Sequence, residues 1–218
     1  MVTGSKMGKK GNNLIEFFRR AEHKIYKTIK RIRLKNKTLT VFSSNCNGGY
    51  ILHDLGLPFN SPTINLFFLP DHFLKFAGSP ETYLSAELKE TQIEGIAYPV
   101  GQLKDILLFF MHYHSFDEAK QAWERRSKRV NMDNVYILMT DKNGCTYEHI
   151  KRFEELPYKN KVIFTHKKYE EFPSSFYISG FETENEVGIL SDFKPQFLKR
   201  RWLDEFDYVR FFNQGKSN

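Results

Sequence analysis

The sequence predicts an α/β fold, a three-layer sandwich with a mostly parallel sheet, preceded by an N-terminal basic amphipathic helix. Short apolar runs that suit buried strands alternate with helix-sized segments, which is typical of parallel sheets covered by helices. The chain has 218 residues, of which 40% are hydrophobic and 16% aromatic. That is enough to form one core without disulfides. We therefore expect a helical segment at residues 1–37 and a single α/β domain at residues 38–218.

The first 37 residues differ from the rest in charge. They hold twelve Lys or Arg and two acidic side chains, a net charge of +10, which leaves −3 for the other residues because the whole chain is +7. Six apolar residues recur at steps of three or four and form one helical stripe: Leu14, Phe18, Ala21, Ile25, Ile29 and Ile32. This pattern indicates a helix on an anionic membrane surface, or one packed on the domain with its basic face in solvent. We expect no nucleic-acid binding, because the body is slightly acidic and no base-reading motif is present.

The strands and helices of residues 38–218 are assigned in chain order. We predict strands at Thr38–Phe42, Asp105–Tyr113, Asn134–Met139, Lys161–Phe164, Ser175–Ser179 and Val187–Leu190. Predicted helices lie at Gly48–Leu55 with Asn47 as cap, at Asp71–Ala77, from Ser79-Pro80, at Ser115–Arg129, at Thr146–Leu156 and at about Pro195–Phe212. Ser115 and Glu118 form a capping box. The continuously apolar run within 105–113 is predicted to be a strand buried on both faces.

No apolar stretch reaches the roughly 18 residues of a membrane span, and the start lacks the apolar region of a signal peptide. The two cysteines, Cys46 and Cys145, lie far apart and are predicted to be free thiols. We therefore expect a cytoplasmic protein, either soluble or peripheral at the inner face of the cell membrane.

Polar residues follow four of the predicted strands, and ligands of open parallel sheets bind beyond the carboxyl ends of the strands. The first loop is predicted to bind an anion through free backbone N–H groups at a helix start. Its candidate residues are Ser44, Asn45, Asn47, Gly48 and Gly49. The loop is neither a Walker loop nor a G-x-G-x-x-G loop, so it indicates no named cofactor. A tight turn that needs small residues is the alternative.

The later strand ends carry the candidate catalytic groups His112, His114 and Asp141, and the fourth ends in Thr165-His166. Either His112 or His114 could be a general base, since imidazole titrates near neutrality, or a structural hydrogen-bonding group. Arg126, at the border of its helix's apolar stripe, is a candidate ligand for phosphate or the partner of a fixed group.

Cys46 is either a nucleophile whose pKa the helix start lowers or a small packing residue. The sequence contains no Asp-x-Asp and no His/Asp/Glu cluster with metal-ligand spacing, so we expect no metal and no cofactor.

A set of motifs extends over residues 38–180: Ser43–Gly49, His53–Leu57, Phe59–Leu66, Tyr98–Gly101, His112-Tyr113, Ser115–Ala119, Trp123, Arg125-Arg126, Arg129, Asn131, Asn134 and Leu156–Lys161. This set resembles a bacterial family of unknown function whose members tend to be labelled exopolysaccharide or capsule biosynthesis proteins. The resemblance implies a role in surface-polysaccharide biosynthesis, with a sugar- or phosphate-containing donor and a glycan acceptor as partners.

Taken together with the candidate site residues, this resemblance favours a metal-independent acyl or glycosyl transferase. The glycine loop and Arg126 are then expected to hold donor phosphates, while His112 or His114 deprotonates the acceptor hydroxyl. The alternative is a non-catalytic membrane-associated component of the same machinery, in which the basic helix is the functional part and contacts an anionic membrane surface.

Overall fold

The computed structural model describes residues 7–196 and 198–214, with side chains from residue 17 onward. Its α-helices are α1 Met7–Arg33, α2 Asn47–Leu55, α3 Pro70–Gly78, α4 Pro80–Leu84, α5 Phe116–Ser127, α6 Tyr147–Glu154 and α7 Tyr208–Gln214. Its strands are β1 Thr40–Ser43, β2 Lys89–Thr91, β3 Val100–Leu103, β4 Ile106–Phe109, β5 Val135–Thr140, β6 Lys161–Thr165 and β7 Ser175–Tyr177. The predicted α/β class is confirmed. Leu14 of the predicted stripe lies among the residues whose side chains are not described.

The main sheet has four parallel strands in the order β1-β5-β6-β7. Its two faces carry separate cores. Phe42, Ile137 and Ile163 belong to one core, which α3, α5 and α6 cover, while alternate residues of the same strands face the other core with α2 and α7. This alternation follows from the period of two in a strand. The parallel sheet therefore forms the middle of three layers, as the apolar runs predict.

A second sheet of three antiparallel strands, β2-β3-β4, lies beside the parallel one. It corrects the prediction of one strand at Asp105–Tyr113. Asp105 lies in the turn between β3 and β4, and β4 ends at Phe109. Its partner β3 and the edge strand β2 were not predicted, because each is short and interrupted by polar residues or glycine.

Two predictions in the last third of the chain are wrong. Val187–Leu190 is not a strand: the Val187 N–H donates to Asp141 Oδ1 at 2.8 Å and its carbonyl accepts from Lys142 Nζ at 2.8 Å. Side chains thus take the place of a neighbouring strand. The helix predicted at about Pro195–Phe212 is in fact a loop, a short 3-10 turn at Trp202–Glu205 and α7. In the loop, Lys194 N–H donates to Arg200 C=O at 2.8 Å, which is not a helical pairing.

The basic helix α1 packs on the domain through polar contacts. Buried Lys30 pairs with Asp204 at 2.6 Å and lies over the rings of Tyr26 and Tyr208. Further contacts join Glu22 to Arg200, Arg33 to Asp207, His23 to the Lys199 carbonyl, and Arg31 to the carbonyls of Asp54 and His53. The polar side of α1 therefore packs on the domain through Lys30, while Arg20, Lys24, Arg31 and Arg33 stay exposed. Among the described residues, no helix is long and apolar enough to cross a membrane.

Candidate functional site

The carboxyl ends of β1 and β5 form the floor of the candidate site. These strands are neighbours and parallel, so the residues that follow them emerge at one edge of the sheet. Asn45 Nδ2 donates to Thr140 Oγ1 at 2.8 Å, and Ser44 Oγ accepts from the Thr140 N–H at 3.3 Å. These two bonds tie the first loop to the end of β5. Ser44 is buried and held by these contacts, whereas Asn45 reaches the cavity above.

The first cavity, of about 480 Å³, lies directly on this edge. Its walls come from the start of α2, from the loops around β4, from the end of β5 and from the 188–191 segment. They are formed by Asn45, Cys46, Asn47, Tyr50, Phe67, Tyr98, Met111, His112, Lys142, Asn143 and Gly188–Ser191. The lining includes three aromatic rings, three amides, one imidazole and one ammonium group. It has the mixed apolar and polar character of small-molecule sites.

A second cavity, of about 510 Å³, adjoins the first. It is lined by Cys46, Gly49, Tyr50, His53, Phe59, Asn65, His112 and Arg201. Three residues, Cys46, Tyr50 and His112, belong to both linings. The two cavities therefore meet along one wall, and His112 is the residue of that wall whose side chain can act as a general base.

The two candidate histidines are separated by the structure. His112 lies in the turn after β4 and lines both cavities, and within the described residues neither of its ring nitrogens has a hydrogen-bond partner. His114 is exposed and lies outside both linings, where its backbone N–H donates to Glu118 Oε2 at 3.1 Å. Ser115 caps α5 by accepting from the Glu118 N–H, as predicted. Of the two histidines, only His112 is placed to contact a ligand in these cavities.

The sequence suggested free backbone N–H groups in the glycine loop. At two positions of this loop, the N–H group is already bonded within the protein. The Asn47 N–H donates to Asn45 Oδ1 at 3.1 Å and the Gly48 N–H to Ser43 Oγ at 3.2 Å. A Cβ on Gly48 would lie 2.8 Å from the Cβ of Ser43, so this glycine lets α2 approach β1 closely. Asn47 lines the first cavity and Gly49 the second. The loop thus contributes side chains and shape to the site.

Asp141 is buried beneath the first cavity and bonded on both oxygens. Its Oδ2 accepts from His166 N–H at 2.7 Å and from His166 Nδ1 at 2.5 Å, and its Oδ1 accepts from the Val187 N–H. The carboxylate thus joins the ends of β5 and β6 to the segment whose residues 188–191 wall the cavity. Because Asp141 lines neither cavity, its position is that of a residue that fixes the wall rather than one that touches a substrate.

Arg126 has a fixed partner and does not line either cavity. Its Nη1 donates to the Tyr113 hydroxyl at 2.6 Å, and its guanidinium lies 5.6 Å from the ring centroid of Phe59, which lines the second cavity. Burial raises the pKa of the Tyr113 hydroxyl, and the nearby Arg126 charge opposes part of that rise. Arg126 therefore supports the wall behind Phe59. Of the two predicted roles, its contacts match the partner of a fixed group and not the ligand of a phosphate.

Cys46 lies in the wall that the cavities share, but its thiol is not activated. Burial raises its pKa to about 11. The Sγ contacts the Leu66 carbonyl at 3.8 Å. A thiol with a raised pKa is mostly protonated at neutral pH and is a poor nucleophile. Its environment therefore matches the packing interpretation of this residue.

Arg201 supplies the second cavity with a cation that the sequence did not single out. Its Nη1 donates to Asp54 Oδ2 at 2.7 Å, and Asp54 also lies 3.7 Å from Lys27 Nζ. One of the five N–H donors of the guanidinium is used in this bond. His53, largely exposed, lines the same cavity. The second cavity thus combines a fixed guanidinium with an imidazole, a pair suited to an anionic group.

Two comparisons with known proteins establish the family. A family model described as "Domain of unknown function (DUF1919)" matches residues 17–213. The chain belongs to this family. A protein of Haemophilus influenzae (strain ATCC 51907 / DSM 11121 / KW20 / Rd), described as an uncharacterized protein, is 46% identical over 191 residues, which cover 88% of this chain and 91% of that protein.

The DUF1919 match confirms the resemblance to a bacterial family of unknown function, while the association with exopolysaccharide stays a prediction. The match begins at residue 17, inside α1, so the helix residues that contact the domain fall within the family region.

Several lining residues of this DUF1919 domain were missed by reasoning from the sequence. Tyr98 was noticed only as part of a motif, and Tyr50 and Phe67 look like ordinary core aromatics. Lys142 directly follows the predicted Asp141, so the strand-end rule could have found it. Arg201 carries no local signal, because only the tertiary structure brings it to Asp54 of α2. Among the described residues, no group of three or more His, Cys, Asp or Glu is arranged to hold a metal ion.

Proposed function

We propose that this protein is a transferase of surface-polysaccharide biosynthesis, which moves an acyl or glycosyl group from a sugar- or phosphate-containing donor to a hydroxyl of a glycan precursor. The observation that carries the proposal is the position of His112 in the wall shared by two cavities. A transferase must hold two substrates side by side with a proton acceptor where they meet.

The two linings suit different substrates. The first cavity offers the aromatic side chains Tyr50, Phe67 and Tyr98 together with amide groups, which can contact the apolar faces of a sugar ring and bond its hydroxyls. The second cavity offers Arg201 and His53, which suit a phosphate-bearing donor. We therefore assign the acceptor to the first cavity and the donor to the second.

The proposed step is the same for acyl and glycosyl transfer. The acceptor hydroxyl gives its proton to His112 while its oxygen forms a bond to the carbonyl or anomeric carbon of the donor. The bond from that carbon to the donor's leaving group breaks, and the leaving group departs with the electron pair beside Arg201. His112 then returns the proton to the leaving group or to water. Asp141 and Arg126 take part by fixing the walls, and His114 is not used.

The pathway part of the proposal is supported by the motif set of residues 38–180, and the reaction part by the cavities. The cell compartment belongs to the proposal as well: we place the protein in the cytoplasm, at the inner face of the cell membrane, where glycan precursors are assembled. The proposal uses residues of the chain alone and assigns no cofactor.

The test replaces His112 and uses His114 as a matched control two residues away. His112→Ala and His112→Gln, introduced into the bacterium's own copy of the protein, should reduce surface polysaccharide, measured as extracted cell-bound hexose. His114→Ala should leave it at the wild-type amount. Loss of a general base lowers turnover by roughly 100-fold or more. Both residues are exposed, so urea unfolding of the three purified variants should match wild type.

The donor class is distinguished by thermal stabilisation of the purified protein with nucleoside diphosphate sugars or with acyl-coenzyme A thioesters. A ligand at 100 times its Kd stabilises the folded state by about 2.7 kcal/mol. Arg201→Gln should remove that stabilisation. Wild-type polysaccharide in both His112 variants would end the transferase proposal, because the proposed proton acceptor would then not be required.

The second candidate is the non-catalytic membrane-associated component. It is favoured by one observation, the apolar face of α1 that points away from the domain. For this candidate, both His112 variants would retain wild-type polysaccharide, while substitutions on the exposed face of α1 would abolish it. The same two sets of variants therefore separate the candidates.

A further inference from the structure

The apolar stripe of α1 faces away from the domain. Of its described members, Phe18 is 57% exposed, Ile25 61%, Ile29 50% and Ile32 78%, and neighbouring Phe17 is 64% exposed. Soluble proteins seldom leave large apolar side chains in a contiguous row on their surface. A helix that packs on its own domain normally buries this stripe, and here the opposite arrangement holds.

The orientation of α1 is fixed by its polar side. Lys30 is only 4% exposed in its pair with Asp204, and the Arg200 guanidinium bonds both oxygens of Glu22, at 2.6 and 2.9 Å. At 100° per residue, Lys30 lies about 140° and His23 about 160° from the middle of the apolar stripe. Rolling the helix to bury its isoleucines would leave Asp204 buried without its cation, which is costly. The outward direction of the stripe is therefore built into the fold.

A basic groove lies on the same helix, and its cation nearest to the stripe is Lys24, about 100° around the helix from the middle of the stripe. A cavity of about 390 Å³ along the same helix is lined by Arg20, His23, Lys24, Lys27, Thr28 and Arg31. Lys35 and Lys37, just beyond the helix, are exposed. Residues 17–37 hold nine Lys or Arg and one acidic residue, Glu22, a net charge of +8. An apolar row flanked by cations is the surface that anionic lipid headgroups and the outer parts of their acyl chains complement.

We infer that this face of α1 is a docking surface for an anionic membrane, with Phe18, Ile25 and Ile32 inserted at the level of the acyl chains. Lys24, at the edge of the groove nearest to the stripe, and the exposed Lys35 and Lys37 then contact the lipid phosphates. A second copy of the chain is the other occupant that an apolar helix face can take. The charge argues against it, because two such helices side by side would bring two segments of +8 together, whereas lipid phosphates neutralise them.

The test measures binding of the full chain to vesicles by flotation. Vesicles of phosphatidylcholine with 30% phosphatidylglycerol should bind the protein at least tenfold more tightly than pure phosphatidylcholine, and 0.5 M NaCl should weaken that binding. Ile25→Ser combined with Ile32→Ser should weaken binding to the anionic vesicles by roughly 100-fold, taking about tenfold per inserted side chain. Leu69→Ser, an exposed apolar residue of α3's N-terminus, is the matched control and should bind like wild type.

Because Ile25 and Ile32 are mostly exposed, the double variant should unfold at the wild-type urea concentration, which keeps the binding result interpretable. Equal binding of wild type and the double variant would overturn the inference. So would a wild-type protein that binds no vesicles and is a dimer by light scattering, with the double variant monomeric, since the face would then be covered by a second copy. Neither outcome depends on the activity proposed for His112.

Discussion

Replacing Asp141 with alanine tests whether this residue fixes the cavity wall or takes part in chemistry. Its carboxylate accepts two bonds from His166 and one from the Val187 N–H, and it is 3% exposed. Asp141→Ala leaves two backbone N–H groups buried without acceptors, at about 1–3 kcal/mol each. With the lost hydrogen bond from His166 Nδ1 added, we expect a destabilisation of about 4 kcal/mol. This is a large fraction of the roughly 5–15 kcal/mol that is usual for the free energy of unfolding.

The assay is urea unfolding followed by circular dichroism, with thermal melting as a second probe. A loss of about 4 kcal/mol should lower the melting temperature by roughly 10 °C for a chain of this size. Asp133→Ala, at an exposed site, is the matched control and should change stability by less than about 0.5 kcal/mol. If Asp141→Ala unfolds with the wild-type midpoint, the carboxylate does not hold the 187–191 segment, and a catalytic role becomes the better interpretation.

Two further predictions concern the helix contact and the shared wall. Lys30→Met should destabilise the protein by about 3–5 kcal/mol in urea unfolding, because Asp204 is left buried without its cation, whereas Lys27→Met should cost less than about 1 kcal/mol. Equal effects would show that burial of the pair is irrelevant. In a Cys145→Ser background, iodoacetamide should modify Cys46 about 200-fold more slowly at pH 8 than an ordinary thiol, since a pKa of about 11 leaves about 0.1% thiolate. The rate should rise with pH until about pH 11, and rapid modification at pH 7 would contradict the raised pKa.

The sequence was most informative where local pattern and burial agree. The buried strands β1, β5 and β6 are short apolar runs, and the segment of α2 ends at Gly56, whose φ of 68° suits glycine. It also indicated the sheet edge on which the first cavity lies, because the ends of neighbouring parallel strands meet at one edge. Asn45, Asn47 and His112 were found in this way.

The path of the last third of the chain could not be predicted from local pattern. Residues 195–212 look helical by composition, yet the Leu203 N–H donates to the Leu190 carbonyl at 2.9 Å and the Trp202 N–H to the Asp192 carbonyl at 3.2 Å, which a helix does not allow. The cavity wall at 188–191 and the cation at Arg201 both depend on this path. Similarly, His112 and His114 are equivalent in sequence, and only the turn after β4 brings one into the cavities and leaves the other outside.

The sequence by itself determined the α/β class, the parallel sheet and the presence of an amphipathic basic helix, because periodicity and composition are properties of local segments. The tertiary structure alone decided which face of that helix meets the domain. The sequence left two roles open for its hydrophobic stripe, contact with a membrane or packing on the domain, and the partners of Lys30, Glu22 and Arg33 that decide between them lie more than 170 residues away. Charge pairs of such long separation leave no periodic signal in the chain, and they turn the apolar stripe outward.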